Sequence, residues 1–181
     1  HTLTDIIIDK GRIKQIEING ETKIKTSAVV LATGHSARDI YQLLFDRKIK
    51  IEAKPFALGV RVEHTQDFID KIQYHGRSND EYLPPASYRL VTQAMEKGVY
   101  SFCMCPGGII APCATDQEEV VTNGWSPSKR NNPYANSGIV VSIEPKDLDN
   151  SDHPLCGLDF QKSIERSAWV AAGKNQQVPA Q

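Results

Sequence analysis

Several features that would assign the chain to a special class of protein are missing from its sequence. No apolar run approaches the roughly 18 residues of a membrane span. The 21 basic residues are balanced by 22 acidic ones, for a net charge of -1. This balance gives no reason to expect nucleic acid or an anionic lipid surface as a partner. The N-terminus lacks the charged-then-apolar pattern of a signal peptide, so we expect a cytoplasmic protein with no membrane partner.

Cysteine is scarce, and its spacing is not the even framework of a small secreted domain. The four cysteines are Cys103, Cys105, Cys113 and Cys156. There is no C-x-x-C pair, and the histidines are scattered along the chain. We therefore expect mainly reduced thiols and predict no metal site.

The first 34 residues have the pattern of a β-meander. The predicted strands are Asp5–Asp9, Arg12–Ile18, Glu21–Thr26 and Ala28–Ala32. Lys10-Gly11 and Asn19-Gly20 are typical of two-residue hairpin turns, because both central residues tolerate positive φ. The fourth strand has consecutive apolar residues, Val29 to Leu31, which indicate a strand covered on both faces, as in a parallel sheet.

A helix is predicted from Ser36 to Phe45. Ser36 would be its N-cap, and Asp39, three residues later, would complete a capping box. Ile40, Leu43 and Leu44 form the apolar stripe of this helix.

From residue 54 the pattern changes to short strands and turns, which indicates a second domain. A helix capped by Thr65 would bury Phe68, Ile69 and Ile72, and Tyr74–Ala86 is predicted to be an exposed loop. The predicted strands are Phe56–Glu63, Ser87–Met95, Val99–Cys105, Ile109–Ala114, Glu119–Asn123 and Gly138–Glu144. A last helix, over about 159–172, would carry Phe160, Ile164, Ala168 and Ala171 on one face. The whole is predicted to be α+β, with a mainly antiparallel sheet and flanking helices.

The small residues Ala32, Thr33 and Gly34 form the first candidate site. They would let a ligand approach the main chain closely, and the N-terminus of the following helix would offer N–H groups to an anion. Two further residues belong to this candidate site: His35, which could hydrogen-bond the ligand, and Arg38, which opposes the helix dipole unless an anion is nearby. The alternative is a strand-to-helix turn that needs glycine for its own backbone angles.

The segment Cys103 to Gly108 forms the second candidate site. Residues i and i+2 of a strand share a face, so Cys103 and Cys105 would present two thiols together. These thiols could take part in redox exchange or, as a weaker alternative, bind a metal, or they could be small buried hydrophobes. Gly107 and Gly108 would expose backbone N–H groups to a flat ring or an oxyanion.

Arg61 is a third candidate, because it lies on a predicted strand between Val60 and Val62. A guanidinium there could anchor a carboxylate or a phosphate with two hydrogen bonds. The alternative is a strand face in water.

Five separated motifs together resemble the uncharacterised bacterial FAD-dependent dehydrogenases, also described as NAD(FAD)-utilising dehydrogenases. They are Val29–Asp39, Lys54–His64, Leu83–Tyr88 (LPPASY), Ser101–Gly108 (SFCMCPGG) and Val121–Gly124 (VTNG). The β-meander followed by Ala-Thr-Gly is similar to the second cofactor-contacting motif of flavoproteins with two dinucleotide-binding domains. The glycine-rich G-x-G-x-x-G fingerprint of such proteins is absent from this sequence.

The resemblance implies an internal fragment of a FAD-dependent oxidoreductase that transfers hydride to or from an unknown substrate. Residues 1–53 would be part of the FAD-binding α/β domain, and 54–181 an inserted domain covering the flavin. The implied cofactor contacts are Ala32, Thr33, Gly34, His35, Arg38, Gly107 and Gly108, with Cys103 or Cys105 as the plausible redox group. NADH or NADPH would be the electron donor.

The implied partners are the rest of the parent chain and a small-molecule substrate. We expect the fragment to be inactive alone. The alternative is a non-catalytic binding module derived from a flavoprotein.

Overall fold

The computed structural model describes residues 1–76 and 82–180, and its first sheet is the predicted meander. Strands β1 (Leu3–Asp9), β2 (Arg12–Ile18) and β3 (Thr22–Lys25) pair antiparallel in sequence order. The turns Lys10-Gly11 and Asn19-Gly20 both adopt positive φ at their two central residues. These two turns fix the meander because each permits the tight reversal that a hairpin needs.

The predicted fourth strand, Ala28–Ala32, is not formed, and this part of the prediction was wrong. Residues 28–34 have no regular secondary structure, and the side chain of Val30 is 91% exposed. A strand is stable only when a neighbouring strand completes its hydrogen bonds, and the described residues provide none for this segment. The apolar run therefore lies on the surface.

Helix α1 (Arg38–Asp46) follows, and it buries Ile40 as predicted. The predicted capping box was wrong, because the N-cap is Ala37 and no side chain caps the helix. The Ser36 hydroxyl lies 3.0 Å from His35 Nδ1 instead. Arg47, just after the helix, forms an ion pair with Asp5 of β1 and so ties α1 to the first sheet.

The elements after α1 are β4 (Phe56–Thr65), α2 (Gln66–Gln73), β5 (Val91–Ala94), β6 (Lys97–Cys105), β7 (Ile109–Cys113), β8 (Val121–Trp125), β9 (Tyr134–Ile143) and α3 (Cys156–Ala171). Four of these strands form the larger sheet, in the order β4-β9-β6-β5, and β7 and β8 pair as a separate hairpin. A single 3-10 turn, Pro145–Asp147, follows β9. Every strand pair among the described residues is antiparallel, which confirms the predicted α+β class.

Several boundaries and faces differ from the predictions. Strand β8 begins two residues later than predicted, which leaves Glu119 before the strand and buried. Helix α2 buries Ile69, but Phe68 and Ile72 are exposed. In α3 the buried residues are Cys156 and Glu165, whereas the predicted core residue Ile164 is exposed. The hydrophobic periodicity of the sequence identified the helices, but it did not predict correctly which face of each helix is buried.

A small apolar core lies where α2 covers the sheet. Ile69, Ala86 and Ala135 are buried together, and Tyr74, Tyr88 and Met104 pack around them. Of the predicted loop Tyr74–Ala86, residues 77–81 lie outside the described part of the chain. This core lies beside the end of β6 and the start of β9, where the cluster around Arg61 described below is found.

The surface is unusually large for a chain of this mass. The accessible area is 12831 Å², against about 8,700 Å² for a compact monomer of 20.1 kDa. The large hydrophobic side chains that are most exposed are Met95, Val30, Tyr82, Val91 and Val60. Within residues 1–76 and 82–180, no helix combines the length and apolarity that crossing a membrane requires.

Candidate functional site

The turn at Ala32, Thr33 and Gly34 is open to solvent. Gly34 has φ +79°, and a Cβ built on it would meet no atom within 4 Å. The glycine is therefore needed for its backbone angle and not for close packing inside this chain. Its free side fits the close approach of a ligand, and His35 beside it is also exposed.

Arg38, in the first turn of α1, contacts two buried carboxylates. Its Nη1 donates to Glu119, and its Nη2 donates to Glu165 Oε2 at 2.7 Å. Glu119 is 2% exposed and Glu165 5% exposed. The backbone strengthens the contact, since the N–H of Val120 donates to the carbonyl of Glu165. We call these three side chains, Arg38, Glu119 and Glu165, the carboxylate clamp.

The clamp supplies the anion that the sequence suggested near Arg38. Burial works against the charge of Arg38, but the hydrogen bonds to Glu165 and Glu119 outweigh it and raise the pKa of the guanidinium. With two carboxylates and one guanidinium, the clamp carries an excess negative charge when all three are ionised. The second oxygen of Glu119, Oε1, is buried and has no hydrogen-bond partner.

The Gly107-Gly108 turn is buried, and its N–H groups are already used. The N–H of Gly107 donates to Gln66 Oε1 at 2.7 Å, and that of Gly108 donates to the carbonyl of Tyr134 at 2.8 Å. A Cβ on Gly107 would overlap the backbone carbonyl of Arg130. The prediction of exposed N–H groups was therefore wrong, because these glycines permit close packing of neighbouring backbone. Their contact with a cofactor stays a prediction.

Cys103 and Cys105 lie at an irregularity in β6. The register with β9 shifts between Phe102 and Cys105, and Cys103 has φ +47°. The strict alternation that would place both thiols on one face is lost at such a bulge. Cys103 is exposed, Cys105 is half-buried, and all four cysteines of the chain are free. The alternative of small buried cysteines is therefore wrong for Cys103, and a redox role stays a prediction.

Arg61 of β4 reaches across the sheet to this bulge. Its Nη1 donates to Asn136 Oδ1 of β9 and to the carbonyl of Cys103, the latter at 3.2 Å. Asn136 is 0% exposed, and its Nδ2 is buried with no hydrogen-bond partner. Strand β8 passes close by at Gly124, where a Cβ would overlap Arg61 Nη1 and lie 2.5 Å from Asn136 Oδ1. The guanidinium fits here because residue 124 has no side chain.

A tyrosine–histidine pair adjoins Arg61. Tyr88 Oη lies 2.8 Å from His64 Nε2, and the two rings meet edge to face. Burial raises the pKa of Tyr88, and this outweighs the lowering effects of a hydrogen bond with Ser137 and of the nearby charge of Arg61. Ser137 is itself fully buried. The hydroxyl is therefore protonated at neutral pH.

The candidate site residues predicted from the sequence do not form one site; they lie in separate parts of the structure. Cys103, Cys105 and Arg61 meet at the end of β6, Arg38 belongs to the carboxylate clamp, and residues 32–35 form the open turn. Two surface hollows, of about 450 and 510 Å³, are lined by other residues.

Sequence reasoning missed Glu119, Glu165, Gln66, Asn136 and Tyr88 as site residues. Tyr88 lies in the LPPASY motif, and its place in this motif could have marked it as a candidate site residue. Glu165 lies in α3 and Glu119 in an acidic turn, where carboxylates are usually solvated. Nothing in the local sequence indicates that the two meet at Arg38, because only the tertiary fold brings them together.

Comparison with known families gives a match over the second part of the chain. Residues 55–181 match the family described as FAD-dependent protein, C-terminal domain-like. The chain belongs to this family. The matched range begins one residue before β4 and includes the Arg61 cluster, the Gly107-Gly108 turn and α3, whereas the open turn and α1 precede it.

One relative can be aligned with nearly the whole chain. An uncharacterized protein of Clostridium beijerinckii (strain ATCC 51743 / NCIMB 8052) is 41% identical over 181 residues, which is 99% of this chain. The alignment covers 34% of the Clostridium protein, so the chain spans about a third of the length of that relative.

Proposed function

We propose that the chain is part of a larger cytoplasmic FAD-dependent oxidoreductase, a dehydrogenase that moves hydride between flavin and a small-molecule substrate. The observation that carries the proposal is the match of residues 55–181 to a family described by its dependence on FAD. NADH or NADPH is the electron donor in this proposal.

The surface supports a larger protein around this chain. The accessible area exceeds that of a compact monomer by thousands of Å², and exposed apolar side chains such as Val30 and Val91 contribute to it. The exposed apolar segment 28–32 would be removed from water if the rest of the protein covered it. The partner in this proposal is therefore the remainder of a longer polypeptide.

The open turn fits the edge of a dinucleotide. Thr33 and Gly34 have accessible backbone, and the open space beside Gly34 allows close approach. FAD supplies the hydride-accepting or hydride-donating ring when it is bound. In the proposal Ala32, Thr33, Gly34 and His35 contact the cofactor, while Arg38 positions α1 through the carboxylate clamp.

Gly107 and Gly108 would approach the ring by shape and not by hydrogen bonding, because their N–H groups are used internally. Cys103 is the accessible thiol at the same end of β6. These assignments make the second half of the chain the cover of the flavin.

The first prediction tests the open turn in the complete gene product, purified natively and examined for visible flavin absorbance. Gly34→Ala should weaken FAD binding at least about tenfold, because a side chain would occupy the space that the ligand needs. Affinity is measured by titrating the apoprotein with FAD.

Gly20→Ala is the matched control. Gly20 has φ +74° and open space around it, so the backbone strain is the same while the position lies in the β2–β3 turn. Equal loss of FAD affinity in both variants would count against the open turn as a cofactor contact. A complete protein without flavin, and without affinity for it, would favour the non-catalytic binding module instead.

A further inference from the structure

Arg61 is a half-buried cation whose hydrogen bonds go only to neutral oxygens. Among the described residues, its partners are the amide oxygen of Asn136 and the carbonyl of Cys103, and no carboxylate forms an ion pair with it. A charge taken partly out of water is costly unless an opposite charge accompanies it. The positive charge of Arg61 could therefore be balanced by one anion bound from outside the chain.

The donors of Arg61 still available suit a planar anion. Both internal hydrogen bonds use Nη1, which leaves Nε and Nη2. These two nitrogens form one edge of the guanidinium, with two parallel N–H groups that match the spacing of the two oxygens of a carboxylate.

A second observation concerns the neighbouring amide. Asn136 Nδ2 is buried and has no hydrogen-bond partner in the described part of the chain, although Oδ1 of the same amide accepts from Arg61. An unpaired buried donor costs about 1–3 kcal/mol. Such a group is retained most readily where a ligand or a rearrangement of the site completes its hydrogen bonding.

We propose that Arg61, whose guanidinium fits beside Gly124, and Asn136 form a recognition site for the carboxylate of a small organic acid. A single guanidinium matches a singly charged carboxylate better than a phosphate, which carries more charge and is usually bound by several cations or N–H groups. Tyr88, which contacts His64, lies near the charge of Arg61 beside this site. The further identification of this acid as the substrate of the oxidoreductase rests on the proposed function, whereas carboxylate binding itself does not.

The second prediction is tested by calorimetric titration of the complete gene product, with and without FAD. The probes are propionate, the neutral analogue propionamide and inorganic phosphate. Propionate should bind at least about tenfold more tightly than either of the others, because it alone combines a single charge with a planar pair of oxygens. Arg61→Gln should reduce propionate affinity at least about tenfold, and Arg61→Lys should bind at an intermediate level because it keeps the charge but loses the fork.

If the Arg61 variants fold poorly, Asn136→Asp provides a second test of carboxylate binding at this site. It replaces the amide by a carboxylate of the same shape beside Arg61, so the internal anion should exclude propionate from a folded protein. Arg12→Gln, at an exposed position of β2, is the matched control and should leave affinity unchanged.

Absence of propionate binding to the unmodified protein, equal binding of phosphate, or undiminished binding in Asn136→Asp would each overturn the proposal. Propionate binding to a protein that takes up no FAD would refute the oxidoreductase and leave the carboxylate site intact. The two proposals can therefore fail separately.

Discussion

Two arginines in this chain occupy similar positions between packed elements but have opposite electrostatic surroundings. Arg38 is held by two buried carboxylates, Glu119 and Glu165. Arg61 is held by an amide and a backbone carbonyl. The first cluster contains its own counter-ions, whereas no carboxylate among residues 1–76 and 82–180 forms an ion pair in the second. An arginine of the first kind stabilises the fold, whereas one of the second kind can bind an anion from outside.

The largest expected effect comes from removing the charge of Arg38. Arg38→Met would leave Glu119 and Glu165 buried together without a cation, and breaking such a buried arrangement costs about 3–5 kcal/mol. The free energy of unfolding, measured by urea denaturation, should fall by that amount. Adding Glu119→Gln and Glu165→Gln should recover much of the loss, because no buried charge then remains.

The control for Arg38 is the ion pair of Arg47 with Asp5, in which the arginine side chain is 46% exposed. Arg47→Met should cost much less than Arg38→Met, since water screens such exposed pairs. If both arginine variants lose the same stability, the clamp does not have the structural role assigned to it.

An intermediate effect is expected from filling the space beside Arg61. In Gly124→Ala the new methyl group would overlap Nη1 of Arg61, so the guanidinium must move, at a cost of about 1–3 kcal/mol. Thermal unfolding measures the loss, and propionate titration should show weaker binding in the same variant.

Gly98→Ala in β6 is the comparison for Gly124→Ala, because a Cβ there meets no atom within 4 Å. This variant should be neutral or slightly stabilised, since glycine weakens a strand interior. Equal stability of the two variants would show that Arg61 is not confined by β8.

The smallest effect concerns the pH dependence next to Arg61. Burial raises the pKa of Tyr88 above its ordinary value of 10.0, so the unfolded chain loses this proton at lower pH than the folded one. The contribution of Tyr88 to stability is therefore complete below pH 10.0 and declines as pH rises through the higher folded-state pKa.

Urea denaturation between about pH 9 and about pH 11 measures this decline for Tyr88. Tyr88→Phe should flatten it, whereas Tyr41→Phe, at an exposed position of α1, should not. An unchanged slope in Tyr88→Phe would assign the alkaline sensitivity to other groups.

Local chemistry was enough to predict the meander, because Asn19-Gly20 and Lys10-Gly11 determine their own turns. Turn residues and periodicity also predicted the approximate positions of the later strands and helices, but not their division into a four-stranded sheet and a separate hairpin. The strand at 28–32 could not be judged in this way, since strand formation depends on a neighbour that the segment itself does not encode.

The candidate sites show the same limit. Sequence alone placed Gly34 in a turn and drew attention to Arg38 and Arg61. It could not show that Arg38 contacts two carboxylates while Arg61 contacts none in the described part of the chain, because Glu119, Glu165 and Asn136 are distant in sequence from the arginines that they contact. At Gly107 the sequence suggested a ligand contact that the structure does not require. Glycine is needed there because a side chain would overlap the neighbouring backbone of Arg130.

The carboxylate clamp also constrains the order in which the chain can fold. Its two ion pairs join residues separated by 81 and 127 positions, so each must close a long loop before it contributes any energy. The hairpins of the first sheet close within a few residues and form on a much shorter timescale. During synthesis, α1 would leave the ribosome long before Glu165. Arg38 could form its ion pair with Glu165 only after α3 has also been synthesised. The start of α1 would thus be among the last parts of the molecule to become ordered, although it is encoded near the beginning of the sequence.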